Sequence, residues 1–521
     1  MSDTEIKIVN DKTFDVIKSA VNQMVDFIRP TFGPASNKVL IERMTHRMVV
    51  DDGVQIARDF ELPDPAENAW VKVIREVAIR TNDRVGDGTT SSLIMLQAII
   101  NEIARKGKRD GRKIELELRK GLEEVTTALK SSAHEIKTKD ELRKVALISF
   151  DNKEIAEMIS DLYWKLGKDG VITIDKSPTM ETTSELSEGV KIDRGYISPY
   201  MIINPERMET VIEKPNILIT DYRLTEASDI LPIMNKMAAA NKRELIIICE
   251  NMEQSALATA VVNKLQQKFL VVAINAPSVE NRTVALEDIA LMIGAKMFSQ
   301  DKGDKLEDAT LEDLGHAIRF ICKQKESIIV GPKGNQSEVS KAIASLKTAF
   351  ESEPDQTKKN QLQNRLATFT QSVAVIKVGA PTENEQKALK YKVEDAVNAV
   401  KSAFRGGIVC GAGISLAQIT TSSPILNEAL QYPYRQLMEN MGIDSSTPIA
   451  KKVQPTSKSE IEYHVTNVVT GKVGPYLAVG VVDPVEVLVA GVESAVSIAS
   501  ILVTTPGMIV EYTPKTPASA K

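Results

Sequence analysis

The chain has 521 residues, 43% of them hydrophobic, which is enough to fill the cores of about three domains. Its 65 Lys and Arg residues and 70 Asp and Glu residues leave a formal net charge of -5. This balance excludes the basic surface that nucleic-acid binding requires. Cys249, Cys322 and Cys410 lack metal-ligand spacing, so the composition predicts a reducing compartment and no disulfide framework.

Two segments bear on localisation. Residues 1–5 lack the basic start and the apolar core of a signal peptide, which predicts a cytoplasmic protein. The apolar stretch 485–503 is long enough to suggest a membrane span, but Glu486 and Glu493 interrupt it and serines recur along it. A buried, tightly packed helix is the better interpretation, and no membrane partner is predicted.

Helical periodicity dominates the first part of the chain. Residues 14–29 place apolar side chains at helical spacing, and Pro30 ends the pattern. The same periodicity predicts helices at 66–82, 93–105 and 115–129. We therefore predict a helical N-terminal part.

Short β-rich runs characterise the middle of the chain. They lie at 171–174, 217–219, 244–249, 269–274 and 328–330. The remaining patterns are helical at 230–240, 256–266, 384–404 and from 414 onward, with one β-like run at 372–378. The alternation predicts an α/β unit inserted into a helical one, and hence a multidomain α/β protein.

The segment Gly86-Asp87-Gly88-Thr89-Thr90-Ser91-Ser92 combines flexible backbone, a carboxylate and consecutive hydroxyls directly before a helical pattern. Glycine lets a charged ligand approach the backbone closely, and a helix N-terminus attracts phosphate. Asp87 supplies the hard oxygen ligand that magnesium prefers. The segment therefore suggests a phosphate and metal site, although a glycine turn before an ordinary capped helix gives the same pattern.

Three further glycine segments carry the same ambiguity. Thr31-Phe32-Gly33-Pro34 follows the first helical pattern, and Asp51-Asp52-Gly53 follows the β-like residues 48–50. Each of these two is by itself a turn. Residues 406–413 contain four glycines ahead of a helical pattern, which is typical either of close backbone approach to a ligand or of tight helix packing.

The order of these segments resembles one family, the group I chaperonins or GroEL family, over almost the whole chain. The matching motifs are Thr31-Phe32-Gly33-Pro34, Asp52-Gly53, Gly86-Asp87-Gly88-Thr89-Thr90, Asp193-Arg194-Gly195-Tyr196-Ile197-Ser198-Pro199-Tyr200, Val393-Glu394-Asp395-Ala396, Gly411-Ala412-Gly413 and Asp483-Pro484. Each motif is short, but their joint order and spacing are specific. The chain is thus similar to a divergent chaperonin, of bacterial or bacteriophage origin.

The resemblance implies the chaperonin fold, which is multidomain α/β with three domains. A mainly helical equatorial ATPase domain would comprise residues 1–131 and 406–521. A small α/β intermediate hinge domain would comprise 132–187 and 374–405. An α/β apical domain, inserted at 188–373, would bind substrate proteins.

The resemblance also implies an ATP site. Its residues would be Thr31, Phe32, Gly33, Pro34, Asp87, Gly88, Thr89, Thr90, Ser91, Ile148, Ser149, Gly411, Ala412, Asn467, Val468 and Asp483. Asp87 would bind magnesium, and the backbone of Thr31 and Asp51 would contribute to a potassium site. Asp395, with Asp52 nearby, would position and deprotonate the attacking water, because phosphoryl transfer depends on orientation and charge neutralisation.

The family's client-binding surface corresponds to two helical patterns and an adjoining extended segment. The matching residues are Tyr196, Ser198, Tyr200, Met201, Leu231, Met234, Leu257, Val261 and Val262. An exposed apolar groove formed by them would bind non-native proteins with little sequence preference. Taken singly, each of these residues fits a core position equally well or better.

The resemblance implies a homo-oligomer of seven-membered rings, in one or two layers, with non-native proteins as clients. Departures from the family pattern leave undecided whether a co-chaperonin lid binds: among them, Asp51 replaces the usual Lys, residues 275–282 lack the usual Gly-Phe-Gly, Ala412 replaces a glycine, and residues 420–432 are shortened. The leading interpretation is a folding chaperone driven by ATP hydrolysis. The alternatives are an ATP-binding ring scaffold or assembly factor that no longer encapsulates clients, and a small-molecule phosphotransferase.

Overall fold

The computed structural model of the protein describes residues 5–10, 12–42, 47–50, 52–107, 110–168, 170–205, 207–277, 281–370, 372–444, 446, 450–453 and 462–512. The chain forms two compact units. The first comprises Met1–Lys168, Ile174–Thr183 and Lys377–Lys521, and the second comprises Asp169–Thr173 and Ser184–Ile376. The second unit is thus inserted into the first, while the finer division into three domains stays a prediction.

The N-terminal part of the first unit is mainly helical. Its elements are β1 (Glu5–Val9), α1 (Thr13–Ile28), a 3₁₀ turn (Arg29–Thr31), β2 (Val39–Glu42), β3 (Arg47–Val50), α2 (Gly53–Asp59), α3 (Pro65–Val85), α4 (Thr89–Arg105), α5 (Gly111–Ser131), α6 (Lys139–Ser149) and α7 (Lys153–Leu166). The helices predicted at 14–29, 66–82, 93–105 and 115–129 are therefore confirmed.

Strands and helices alternate in the middle of the chain. The strands are β4 (Val171–Lys176), β5 (Thr183–Ile192), β6 (Thr210–Glu213), β7 (Asn216–Thr220), β8 (Arg223–Leu224), β9 (Glu244–Cys249), β10 (Asn251–Met252), β11 (Leu270–Asn275), β12 (Met297–Phe298), β13 (Gly315–Cys322), β14 (Ser327–Pro332) and β15 (Ser372–Val378). The helices are α8 (Leu231–Ala239), α9 (Gln254–Leu265), α10 (Arg282–Ile293), α11 (Gln336–Ser352) and α12 (Gln356–Thr370), with 3₁₀ turns at Pro199–Met201, Ala227–Asp229 and Leu306–Asp308.

The C-terminal part returns to the first unit. It contains α13 (Glu383–Gly406), β16 (Ile408–Cys410), α14 (Ile414–Ala417), α15 (Pro424–Ala429), α16 (Tyr432–Asn440), β17 (Ala450–Val453), β18 (Glu462–Thr466), β19 (Val473–Pro475), α17 (Tyr476–Val479), β20 (Val482–Pro484), α18 (Val485–Thr504) and β21 (Met508–Tyr512).

The core of the first unit is a cluster of apolar faces from α1, α3, α4, α5 and α18. Aspartate caps start two of these helices, α3 and α5. The Asp64 carboxylate accepts hydrogen bonds from the N–H groups of Ala66 and Glu67, and Pro65 occupies the first helical position. These features fix where α3 begins and hence where it delivers the glycine segment that follows it.

Helix α18 lies inside this core. Among the described residues it is the one helix long and apolar enough to cross a membrane, but 72% of its most apolar stretch is buried within the protein. Gly491 allows close packing, because a Cβ atom there would lie 3.4 Å from the Met95 Cε of α4. The prediction of a buried, tightly packed helix at 485–503 is confirmed.

The second unit is built on a sheet that combines both strand directions. Strands β11, β9 and β7 pair in parallel, while β13 pairs antiparallel with β7, β6 and β14. The parallel strands are buried almost throughout and are rich in Ile, Val and Leu, as parallel strands covered on both faces are. The α/β character predicted for this region is confirmed.

The expectation of helix from residue 414 onward is wrong in part. Strand β20 pairs with β16, strands β17, β18 and β19 form a small sheet, and β21 pairs with β1 from the other end of the chain. These strands are three to five residues long, so they show no readable period. Pairing with partners distant in sequence defines them, and a local pattern cannot reveal it.

Candidate nucleotide site

The glycine segment joins two long helices of the first unit. Helix α3 ends at Gly86, whose left-handed backbone (φ 67°) lets its N–H donate to the Asn82 carbonyl at 2.8 Å. Gly88, also left-handed with φ 76°, precedes α4. Because its N-cap residue is Gly88, no side-chain cap for the N-terminus of α4 is present within the described part of the chain. Its first N–H groups and its dipole are therefore directed at whatever occupies this loop.

Asp87 lies between the two glycines and is half-buried. Its Oδ1 accepts the Gly88 N–H at 2.6 Å, and its Oδ2 accepts the Ser149 hydroxyl at 3.3 Å. Burial raises the pKa of Asp87 even though these two hydrogen bonds favour the charged form. A cation bound here would relieve the cost of burying the carboxylate.

Asp483 reaches the same place from the opposite end of the chain. Strand β20 carries it, paired with Val409 of β16. Burial raises the pKa of Asp483 to about 7; a hydrogen bond from the Gly413 backbone opposes this shift, and the Asp87 carboxylate adds to it. Two neighbouring carboxylates whose pKa values are raised by burial favour a bound cation or a hydrogen-bond donor beside them.

The segment after β3 lies against the start of α4. Asp52 caps α2 by accepting the Val54 N–H at 3.0 Å. A Cβ atom on Gly53 would lie 3.2 Å from the Thr89 hydroxyl and even closer to that of Thr90. Glycine is therefore required at 53, and the two threonine hydroxyls pack against the start of α2, directly after Asp52. Asp51 lies outside the described residues.

Hydroxyl groups follow the loop into α4. Thr89 is buried, and Thr90 and Ser91 keep partial contact with solvent. The Ser91 hydroxyl donates to the Gly88 carbonyl at 2.9 Å. Each hydroxyl oxygen retains lone pairs, and those of Thr90 and Ser91 are near enough to the surface to meet a ligand.

Asp395 lies on α13 and is half-buried. One helical turn later, Asn398 touches the glycine segment, since a Cβ atom on Gly86 would lie 2.5 Å from the Asn398 Cγ. Residues three apart share a helix face. By this spacing Asp395 lies close to the part of α13 that meets Gly86, within the same unit.

An apolar cluster contains three of the predicted ligand residues. Phe32, Ala412 and Val468 pack against buried Cys410, Ile414 and Val465. Asn440 donates its amide N–H to the Phe32 carbonyl at 2.9 Å. The cluster offers apolar side chains against which an aromatic base would pack.

The backbone around this cluster is unusual at two positions. Ala412 adopts a left-handed conformation with φ 58°, which an alanine takes at a cost of about 1–2 kcal/mol. Gly411 lies against β20, where a Cβ atom would come within 2.8 Å of the Val482 backbone. The glycine-rich segment 411–413 thus allows β16 and β20 to pack closely beside Asp483.

The other predicted ligand residues bond to or pack against neighbouring parts of the protein, or are exposed. The Thr31 hydroxyl donates to the Ile28 carbonyl at 2.8 Å, and Gly33 packs under Leu437. Pro34 and Ile148 are exposed. The Asn467 amide donates to the Val479 carbonyl at 3.0 Å and accepts from two N–H groups of its own turn, so it shapes the loop that presents Val468.

Sequence reasoning missed Asn398, and it singled out the segments that contain Gly53 and Gly413 without assigning a role to either residue. A signal for Asn398 exists, because it is a polar residue between Val397 and Ala399, three positions after Asp395. Among the described residues, no group of three or more His, Cys, Asp or Glu side chains could hold a metal alone. A metal here would need oxygen ligands from a bound substrate in addition to Asp87.

The predicted client-binding residues of the second unit divide into two groups. Tyr200, Leu231 and Val262 are exposed, at 64%, 38% and 47%, and Leu265 of α9 is 68% exposed. Leu257 and Val261 are partly buried. Lys264 donates to the Tyr200 carbonyl at 2.7 Å and so holds α9 beside the exposed end of this segment.

Four residues assigned to the exposed groove are corrected. Met201, Met234, Tyr196 and Ser198 are 1%, 4%, 8% and 7% exposed. Met234 follows Ile233 on the face of α8 that packs into the core, and Met201 contacts the N–H of Ala273 in β11. Apolar periodicity locates a helix face but does not say whether that face meets a sheet or solvent.

Two crystal structures share this fold. Both are of the chaperonin gp146 from the bacteriophage EL 2 (Pseudomonas aeruginosa) in the presence of ATP-BeFx. Crystal form II has a TM-score of 0.67 and 20% identity, with 97% of this chain and 98% of gp146 covered. Crystal form I has a TM-score of 0.60 and 21% identity, with 98% and 99% covered. The fold is therefore the multidomain α/β chaperonin fold.

A comparison of the sequence alone indicates the same class of protein. The model of the TCP-1/cpn60 chaperonin family matches residues 24–513. The chain therefore belongs to the TCP-1/cpn60 chaperonin family, as the motifs between Thr31 and Pro484 predict.

Proposed function

We propose that the chain is a chaperonin subunit that binds and hydrolyses ATP, assembles into homo-oligomeric rings and promotes the folding of non-native proteins. Family members are ATPases that form rings and bind client proteins. The observation that carries the proposal for this chain is the convergence of Asp87, Asp483 and the uncapped start of α4, with the Asp395 face of α13 against the same loop.

Magnesium fits this donor set, because partial burial raises the pKa of the Asp87 carboxylate and a nearby cation would lower it again. Asp87 would hold the ion, which supplies charge neutralisation on the phosphates. The first N–H groups of α4 and the hydroxyls of Thr90 and Ser91 would bind phosphate oxygens. Potassium at the backbone of Thr31 and Asp51 stays a prediction.

Asp395 would hold the attacking water by accepting a hydrogen bond from it, and would then accept its proton. Asp52 directly precedes Gly53, which packs against the threonine hydroxyls, and would help to orient the same water. Asp483 would accept hydrogen bonds from the ribose, while Phe32, Ala412 and Val468 would contact the adenine. Each role uses a residue whose position in the first unit is described above.

The exposed apolar side chains of the second unit would capture clients. Tyr200, Val262 and Leu265 surround the contact between α9 and the 199–201 turn, and Leu231 begins α8. Apolar side chains without a fixed hydrogen-bond pattern bind unfolded chains with little sequence preference. ATP-driven rotation of the hinge would then release the client.

The experiment that tests the proposal is the refolding of a chemically denatured, aggregation-prone enzyme in the presence of the protein. We expect the chain, with Mg²⁺ and ATP, to raise the recovered enzyme activity above spontaneous refolding. The same chain without nucleotide should hold the client without releasing it. Steady ATP hydrolysis with no recovery of any client would instead support the ring scaffold.

A further inference from the structure

A contact between α13 and the glycine segment involves a residue with no role assigned so far. The Asn398 side chain fills the space where a side chain at Gly86 would be, since a Cβ atom there would lie 2.5 Å from the Asn398 Cγ and 2.8 Å from its Cβ. Asn398 is half-buried. Among the described residues the Asn398 side chain makes no hydrogen bond, so shape rather than polar bonding defines the contact.

Gly86 is suited to receive this side chain. Its backbone is fixed by the left-handed conformation (φ 67°) and by the hydrogen bond of its N–H to the Asn82 carbonyl. The missing side chain leaves a notch at the end of α3, directly before Asp87. A side chain that fills the notch sets how closely α13 approaches the loop.

Asp395 depends on that approach. It lies three residues before Asn398 on the same helix, and side chains at this spacing are neighbours about 5–6 Å apart. A helix is rigid over one turn because its backbone hydrogen bonds close every four residues. A change in how the Asn398 side chain packs against Gly86 therefore moves the Asp395 carboxylate relative to Asp87.

We infer that Asn398 is a positioning residue for ATP hydrolysis: by filling the Gly86 notch it sets the distance between the Asp395 carboxylate and the phosphate-binding loop. The inference rests on the proposed ATPase function. Asn398 itself need not touch nucleotide or water. A misplacement of about 1 Å in such a carboxylate can cost about a hundredfold in rate.

The test compares two substitutions that separate shape from polarity. Asn398→Ala empties the notch and is compatible with the helix, because alanine is a better helix former than asparagine. Asn398→Leu keeps the branched shape of the side chain and removes the amide. For both variants we would measure kcat for ATP hydrolysis, the Kd of MgATP and the thermal unfolding midpoint, beside the unsubstituted protein.

We expect Asn398→Ala to lower kcat about tenfold or more while the Kd of MgATP changes less than about twofold, since a positioning defect acts on the transition state. Asn398→Leu should restore most of kcat. In an Asp395→Ala background, Asn398→Ala should have no further effect, because a residue that acts through Asp395 shows no independent contribution.

Three outcomes would overturn the inference. The first is an Asn398→Ala variant with unchanged kcat, and the second is additive loss in the Asp395→Ala background. The third is a Leu variant as impaired as the Ala variant with weakened MgATP binding, which would make the amide a ligand contact. These three outcomes leave the proposed function intact. Absence of ATP hydrolysis by the unsubstituted protein would instead refute the proposed function itself, so the two failures are distinguishable.

Discussion

The Asp87 carboxylate helps to raise the pKa of Asp483, although the two residues come from opposite ends of the chain. Burial is the larger cause, and it places the pKa of Asp483 at about 7. In the ligand-free protein Asp483 thus holds a proton that an exposed aspartate would release near pH 4. The first prediction follows from this difference.

Stability of the ligand-free protein should depend on pH through Asp483. Because the folded-state pKa is raised, the contribution of this residue is complete below about pH 4 and is lost as the pH rises through about 7. We expect the thermal unfolding midpoint to fall by a few degrees between pH 5.5 and pH 7.5, given about 2–4 °C for each kcal/mol in a domain of this size. Asp483→Asn should flatten this part of the profile. An unchanged slope in Asp483→Asn would contradict the assignment.

Removing the Asp87 carboxylate should weaken nucleotide binding without lowering the stability of the ligand-free protein. We expect Asp87→Asn to leave the ligand-free protein as stable or more stable, because a buried charge is removed. Binding of MgATP, measured by calorimetry, should weaken by at least about tenfold, since the amide cannot replace an anionic magnesium ligand. Asp83→Asn, on the exposed side of α3, is the matched control and should bind as the unsubstituted protein does. Tight MgATP binding by Asp87→Asn would place the ion elsewhere.

The second unit allows a comparison of exposed and buried apolar residues. Val262→Ser and Leu265→Ser on α9 should each reduce capture of a denatured fluorescent client by severalfold without lowering the unfolding midpoint, because both side chains are exposed. Met234→Ser should destabilise the unit by about 2–5 kcal/mol, as truncation of a core side chain does. Client capture that is unaffected by both α9 substitutions would move the client-binding surface away from α9.

Much of this architecture is predictable from local sequence patterns. The long helices α1, α3, α4, α5 and α18 have strong apolar periodicity, and proline, glycine or aspartate marks several of their ends. The 86–92 segment is equally readable, because glycine, carboxylate and hydroxyl groups are adjacent in sequence. Properties that depend on neighbouring residues along the chain are therefore the ones that the sequence reveals.

The remainder depends on contacts between distant residues. The pairing of β16 with β20, which brings Asp483 to Asp87, involves three-residue strands without a period of their own. Asn398 resembles a solvated helix residue until Gly86 is seen opposite it. The burial of Met234 and Met201 is decided by the sheet beneath them, and the same apolar pattern would fit an exposed groove.

The central claim, that Asp395 and the 86–91 loop form one ATPase site, is tested most directly by Asp395→Ala. We predict that this variant binds MgATP with a Kd close to that of the unsubstituted protein, while kcat falls by about 10²–10⁴-fold, the usual contribution of a general base. Glu394→Ala, the adjacent carboxylate on α13, is the matched control and should retain most of its turnover. Full ATP turnover by Asp395→Ala in single-turnover and steady-state assays would contradict the account.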